Sequence, residues 1–267
     1  MKRFSRPSDS LKPDEPGQVW VLNQWLGKLL AAMSLNDVAC AAESSAAFYH
    51  KRRRWYAEIL IRATRIFLRP GSYVLPRKSW MKWEATLYHQ FYGWNVRVEA
   101  GELILPAIPG TVLAGYLKSA NEANAQLAAI AAAIRALRQL HETRVRFPDG
   151  GEGFFSHGDA SAENVIYELG SGLARWFDFE TVHESLRPRE WRRADDLRAL
   201  TYSVAALLPP NKFPELARSL RANYPDPPVL QELVRHADKL RRKSDPFHLG
   251  QTNIDYRRSE LWVSVLH

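Results

Sequence analysis

The stretch Ser156-His157-Gly158-Asp159-Ala160-Ser161-Ala162-Glu163-Asn164-Val165-Ile166-Tyr167 sets an aspartate five positions before an asparagine that opens a strand-like run. Fourteen positions further on, Asp178 stands in Trp176-Phe177-Asp178-Phe179-Glu180. Two short strands, Asn164 to Glu168 and Ala174 to Phe177, are predicted on either side of the turn signal Gly170-Ser171-Gly172. Phosphoryl transfer needs little covalent chemistry and much positioning. One carboxylate must orient an acceptor hydroxyl, and hard oxygen ligands must hold magnesium, which takes few of them from the protein. Asp159, Asn164 and Asp178 match those needs in chain order. Taken alone, Asp159 would read as a turn or helix-cap residue. Glu163 and Glu180 read either as further carboxylates of the site or as solvated side chains.

Downstream of these motifs, Ala194 to Leu208, Phe213 to Asn223 and Val229 to Arg242 read as helices divided by proline-rich turns. Upstream, Glu122 to Glu142 is Ala-rich, with Leu127, Ile130, Ile134, Leu137 and His141 at helical spacing, and predicts a buried helix. Val96, Val98 and Glu102 to Leu105 form a hairpin pattern around Gly101, leading to a hinge at Leu105 to Ile108. Ser79 to Tyr92 predicts a helix that ends at Gly93 and carries Glu84 near its middle. Trp55 to Leu68 also reads as a helix, and Val38 to Tyr49 as one or two strands ending at Lys51. Val19, Leu22, Trp25, Leu26, Leu29 and Leu30 give Gln18 to Met33 an amphipathic, Trp-rich face. Residues 1–17 read as a flexible basic arm, 18–108 as a small lobe with an extra N-terminal helix, and 109–267 as a mostly helical lobe. The fold class is α+β with a cleft between the lobes.

A chain of 267 residues, 46% hydrophobic and 25% charged, has enough apolar material for a large core. The single cysteine, Cys40, excludes an intramolecular disulfide framework and a cysteine-based zinc cluster. The basic start is followed by polar residues rather than the apolar stretch of a signal peptide, and no run is long enough to span a membrane. A cytoplasmic location follows as the expectation. The formal charge of +8 favours a polyanionic partner. Lys51 to Arg54, Arg187 to Arg193 and Arg235 to Lys243 carry much of that charge, and each reads otherwise as a solvated helix face.

His157-Gly158-Asp159 with Asn164 resembles the catalytic loop of the protein-kinase-like superfamily, in the phosphotransferase branch that reads His-Gly-Asp-x-x-x-x-Asn. Asp178-Phe179-Glu180 resembles its metal-binding Asp-Phe-Gly element, with Glu180 where many members have glycine. Arg193-Ala194-Asp195-Asp196-Leu197-Arg198-Ala199-Leu200 resembles the start of the helix whose buried aspartate, here Asp196, braces the catalytic loop. Asp195 reads as a helix-start charge and His157 as a scaffold residue. The resemblance asks for a lysine on the phosphates and a helical glutamate to hold it. Glu84 is the best glutamate, and Lys51 is preferred to Lys78 and Lys82 because the order is similar to that of lipopolysaccharide kinases, the Kdo-kinase-like enzymes. The resemblance covers Ala46 to Leu208 and is stronger in its second half.

It implies a two-lobed protein-kinase-like fold with ATP and Mg2+ as cofactors. Lys51 and Glu84 would bind the nucleotide, Asn164 and Asp178 the metal, and Asp159 the acceptor hydroxyl. The implied acceptor is an anionic glycolipid or other sugar at the inner face of the membrane, with Lys51 to Arg54 and the Trp-bearing helix Val19 to Leu30 sharing a membrane-facing surface. One departure stands out: no glycine lies between Lys28 and Pro70, so Ala41-Ala42-Glu43-Ser44-Ser45 must make the phosphate-covering turn. Two rivals follow, a nucleotide-binding pseudokinase acting as an interaction module and, more weakly, a nucleic-acid binder that stacks bases on tryptophan.

Overall fold

The computed structural model describes residues 35–43, 46–59, 61, 71–120, 122–242, 254 and 256–267. The predicted arm and the helix Gln18 to Met33 lie outside the described residues. So does most of Trp55 to Leu68, of which Ala57 to Ile59 and Ile61 are helical. Strands β1 (Asn36–Glu43) and β2 (Ala46–Arg53) pair antiparallel, with Val38 opposite Lys51 and Glu43 opposite Ala46. Ala41 to Glu43 are therefore strand rather than the predicted turn, because cross-strand pairing continues until only Ser44 and Ser45 remain for the connection. Strand β2 also runs past Lys51 to Arg53.

The short strand β3 (Ser72–Val74) leads into helix α1 (Arg77–Tyr92). Its inward residues Trp80, Trp83, Glu84, Leu87 and Tyr88 recur every three or four positions, so one face is buried. Gly93 stops the helix with φ 69°, and its N–H returns to the His89 carbonyl. Strands β4 (Arg97–Glu99) and β5 (Glu102–Pro106) form the predicted hairpin. Strand β5 adds to β2, giving a four-stranded sheet in the order β1-β2-β5-β4.

Beyond it come β6 (Thr111–Val112), α2 (Leu113–Ser119), the Ala-rich α3 (Ala123–His141) and the hairpin of β7 (Arg144–Arg146) with β8 (Glu152–Phe154). The two strands predicted around Gly170 to Gly172 are β9 (Val165–Glu168) and β10 (Leu173–Trp176), and β9 also pairs with β6. Small side chains at Ala129, Ala132 and Ala133 let α3 lie close under these strands, and the Trp176 indole N–H reaches the Ala133 carbonyl at 3.1 Å. Strand β11 (Thr181–His183) pairs with β3, far away in sequence. The chain closes with α4 (Arg189–Leu207), α5 (Phe213–Asn223), α6 (Pro227–Arg242) and α7 (Tyr256–Leu266).

The molecule is thus α+β, with small antiparallel sheets and a helical core around α4. Helix α4 starts at Arg189, five residues before the predicted Ala194, because Pro188 fixes an extended N-cap and the arginines that follow are helix-compatible. Strands β3, β6, β7, β8 and β11 have two or three residues each, too short for alternation to mark them. No helix among the described residues is long and apolar enough to cross a membrane.

Candidate functional site

The segment around Asp159 is held in place by a carboxylate beneath it. Asp196, fully buried on α4, accepts the backbone N–H of His157 at 2.7 Å with one oxygen and that of Gly158 at 2.8 Å with the other. His141 Nε2 approaches the first oxygen at 2.9 Å. Burial works to raise the Asp196 pKa, but the surrounding His183, His141 and His157 outweigh it and hold the carboxylate below its ordinary range. Gly158 has φ 82°, and a Cβ there would lie 2.8 Å from the Thr181 carbonyl oxygen, so both backbone conformation and space require glycine.

His157 is wholly buried and its Nε2 lies 2.9 Å from the Phe177 carbonyl. Burial lowers its pKa, which favours a neutral scaffold ring rather than a titrating one. Asn164 stands one residue ahead of β9. Its Nδ2 donates to the Asp159 carbonyl at 2.8 Å and to the Asp159 carboxylate at 3.0 Å, closing the loop on itself. Glu163 points outward and takes no part.

Opposite this loop, strand alternation sends Tyr49, Lys51 and Arg53 to one face of β2. The Lys51 ammonium lies 3.1 Å from Glu84 on α1, 2.5 Å from Asp178 and 3.8 Å from Glu180. Burial disfavours its charge, but attraction from Asp178, Glu84 and Glu180 exceeds that penalty and raises the pKa well above the usual lysine value. Glu84 is fully buried, and burial raises its pKa against the pull of Lys51. Trp80, one helical turn earlier, donates its indole N–H to the same carboxylate, while Lys51 and Arg53 lie 5.1 and 4.6 Å from the Trp80 ring centroid.

Asp178 adopts φ 64°, a left-handed conformation uncommon for a residue with a side chain and concentrated at functional sites. Burial would raise its pKa, and Lys51 outweighs this and keeps it ionised. Phe179 anchors the turn: it is fully buried, with ring centroids of His157, Tyr88 and Phe91 at 5.1, 5.2 and 5.5 Å. The Asp178 N–H points to the Tyr88 hydroxyl at 3.3 Å.

Lys51, Glu84 and Asp178 together line a cavity of about 260 Å³. Val38, Tyr49 and the β5 residues Leu105 and Pro106 come from the four-stranded sheet, Ile108 from the segment after it, and Val112, Ile166 and Phe177 from β6, β9 and the segment after β10. Apart from the charged residues, the walls are apolar, which suits a flat ring system with an anionic tail.

The structure therefore gathers Lys51, Glu84 and Asp178 in one cluster and Asp159 with Asn164 in an adjoining loop. Lys78 and Lys82 are not in the cluster. Glu180 is not simply solvated: it lies 3.2 Å from Arg53 and accepts from Asn36 at 2.6 Å. Burial, followed by repulsion from Asp178, raises its pKa. Asp195, read in the sequence as a helix-start charge, lies in the second turn of α4 and is buried. It receives Arg198 at 2.7 Å and has His183 Nε2 at 3.1 Å.

Nor is Lys51 to Arg54 a uniform basic face, since the end of β2 buries Lys51 and Arg53, while Arg52 and Arg54 turn toward Glu102 and Asp37. Arg53 and Asn36 were invisible as site residues in the sequence. Their only signal is the period-two spacing that puts Arg53 on the Lys51 face. No protein-family model matches the chain, and no curated protein matches it significantly.

Proposed function

We propose that the chain is an ATP- and magnesium-dependent phosphotransferase on a two-lobed protein-kinase-like fold, with the four-stranded sheet and α1 in the small lobe. The observation that carries this reading is Lys51 set between Glu84 at 3.1 Å and Asp178 at 2.5 Å, lining an otherwise apolar cavity beside the Asp159–Asn164 loop. The residues fit the nucleotide. The apolar walls accept its base, and the raised Lys51 pKa keeps a full positive charge for its phosphates. Asn164 and Asp178 would hold magnesium, which neutralises charge on phosphate oxygens. Asp159, oriented by the Asn164 amide, would align the acceptor hydroxyl and take its proton late in transfer. By the same resemblance, the acceptor is a hydroxyl on an anionic sugar or glycolipid, and the site of action is the cytoplasmic side of a membrane.

A second reading, nucleotide binding without turnover, draws on the two-residue, glycine-free connection of β1 and β2 and on Glu180 as a third carboxylate near Lys51. The nucleic-acid reading gains little, since Trp80, Trp176 and Trp262 are fully buried. Magnesium-dependent ATP consumption, measured with anionic sugars as acceptors, separates these readings. Turnover supports the phosphotransferase, whereas nucleotide binding with no turnover supports the interaction module.

A further inference from the structure

The basic run Arg187 to Arg193 is not used by the proposed chemistry, and the fold turns part of it inward. Arg192 and Arg193 are 4% and 3% exposed. The guanidiniums of Arg144, Arg189 and Arg193 lie 5.2, 4.7 and 5.4 Å from the centroid of one ring, Phe154. A ring face offsets the repulsion among such cations only in part, by about 0.5–2 kcal/mol each. The carboxylate nearest Arg189 and Arg193 is Asp226, at 3.9 and 3.7 Å, too far for a direct hydrogen bond. Arg193 gives one arm to the His141 carbonyl, while its buried Nε has no hydrogen-bond partner. Arg138 rests on Glu142 at 3.3 Å. Arg138, Arg189, Arg193 and Tyr224 line an open cavity of about 210 Å³, together with Glu142 and Asp226. Three arginines thus face two carboxylates in this cavity.

We propose that this cavity, between the end of α3, the start of α4 and the turn from α5 to α6, binds a phosphoryl dianion, free or as a monoester. Planar guanidinium forks converging from two helices match its several oxygens better than a single carboxylate does. Its occupancy reaches the Asp159 loop through a chain of buried side-chain contacts. The Tyr224 hydroxyl is 2.7 Å from His141 Nδ1, His141 Nε2 is 2.9 Å from Asp196, and Asp196 holds the His157 and Gly158 amides. Anion binding against Tyr224 is therefore felt at the loop. Binding itself does not depend on the phosphotransferase reading.

The test titrates inorganic phosphate, and in parallel glycerol phosphate, into the full chain at constant ionic strength and follows the melting temperature. A saturable rise is expected. Arg189→Ala and Arg138→Ala are expected to weaken it about tenfold, as loss of a charge-assisted contact does. Their side chains are 43% and 47% exposed, so neither substitution removes core packing. A preference for glycerol phosphate marks an ester as the ligand, and equal affinity marks free phosphate. Absence of saturable binding, or binding untouched by both variants, overturns the site. Hydrogen exchange of the peptide spanning His157 and Gly158 is expected to slow when phosphate binds and to stop responding in Tyr224→Phe. Unchanged exchange with phosphate bound overturns the connection to the loop.

Discussion

Asp178 and Asp196 are both aspartates whose surroundings hold them ionised, and they lie on two sides of the same loop, yet they are built differently. Asp196 is fully enclosed, and three donors converge on its two oxygens, two of them backbone amides. Its side chain has no room for another partner. Asp178 keeps 30% of its side chain exposed at a cavity, leans on one mobile-stemmed lysine, and shares that lysine with Glu84 and Glu180. A carboxylate saturated by rigid donors fixes geometry. One held by a shared cation in a left-handed turn can exchange that partner for a ligand at little structural cost.

Substituting the enclosed carboxylate tests the first half of this contrast most severely. Asp196→Ala leaves two buried amides and His141 without their acceptor, and is expected to cost about 3–5 kcal/mol in urea unfolding. A loss below 1 kcal/mol would show that solvent replaces the carboxylate and that the brace is not structural. Asp178→Asn is the mirror experiment. Magnesium-dependent ATP turnover is expected to fall on the order of 10²–10³-fold, while the melting temperature changes little, because Lys51 retains Glu84 and Glu180. Full turnover in this variant would remove Asp178 from the chemistry.

Gly158→Ala probes the loop between the two aspartates. At φ 82° and with the Thr181 oxygen 2.8 Å from the new Cβ, the substitution is expected to cost on the order of 1–3 kcal/mol, read in the same urea assay.

The smallest effect concerns pH. Burial lowers the folded-state pKa of His141 and His157, so between that value and about 6.5 the unfolded chain binds more protons. Stability is then complete above pH 6.5 and declines as pH falls below it. The depressed Asp196 acts in the same direction at lower pH, because its stabilisation is lost as pH falls through the folded pKa. Melting curves between pH 8 and 5 check this, and His141→Gln is expected to flatten the decline. A decline that persists unchanged in that variant would assign it elsewhere.

What is legible in the sequence follows the range of the interaction. His157, Gly158, Asp159 and Asn164 lie within eight residues and are joined by local hydrogen bonds, so their spacing carries the geometry. The long helices α3 and α5 announce themselves by periodicity, and α5 begins and ends where the pattern does. Arg53 and Asn36 meet Glu180 only through the register of β1 with β2 and of β3 with β11, which no local pattern specifies. Asp195 reads in the sequence as a helix-start charge, and nothing local marks it as buried. Here α6 packs over it and supplies His236, whose Nδ1 lies 3.8 Å away.

The Lys51–Asp178 contact joins residues 127 positions apart, and Asn36–Glu180 joins residues 144 apart. Translation at roughly 5–20 residues per second separates the emergence of Lys51 from that of Asp178 by about 6–25 s. During that interval Lys51, Arg53 and Glu84 have each other but lack Asp178, Glu180 and β11. The early sheet therefore waits on the ribosome with its inward charges incompletely matched until Asp178 and Glu180 arrive, and β11, directly after them, then pairs with β3. Assembly of the site is consequently a late event in the life of the nascent chain.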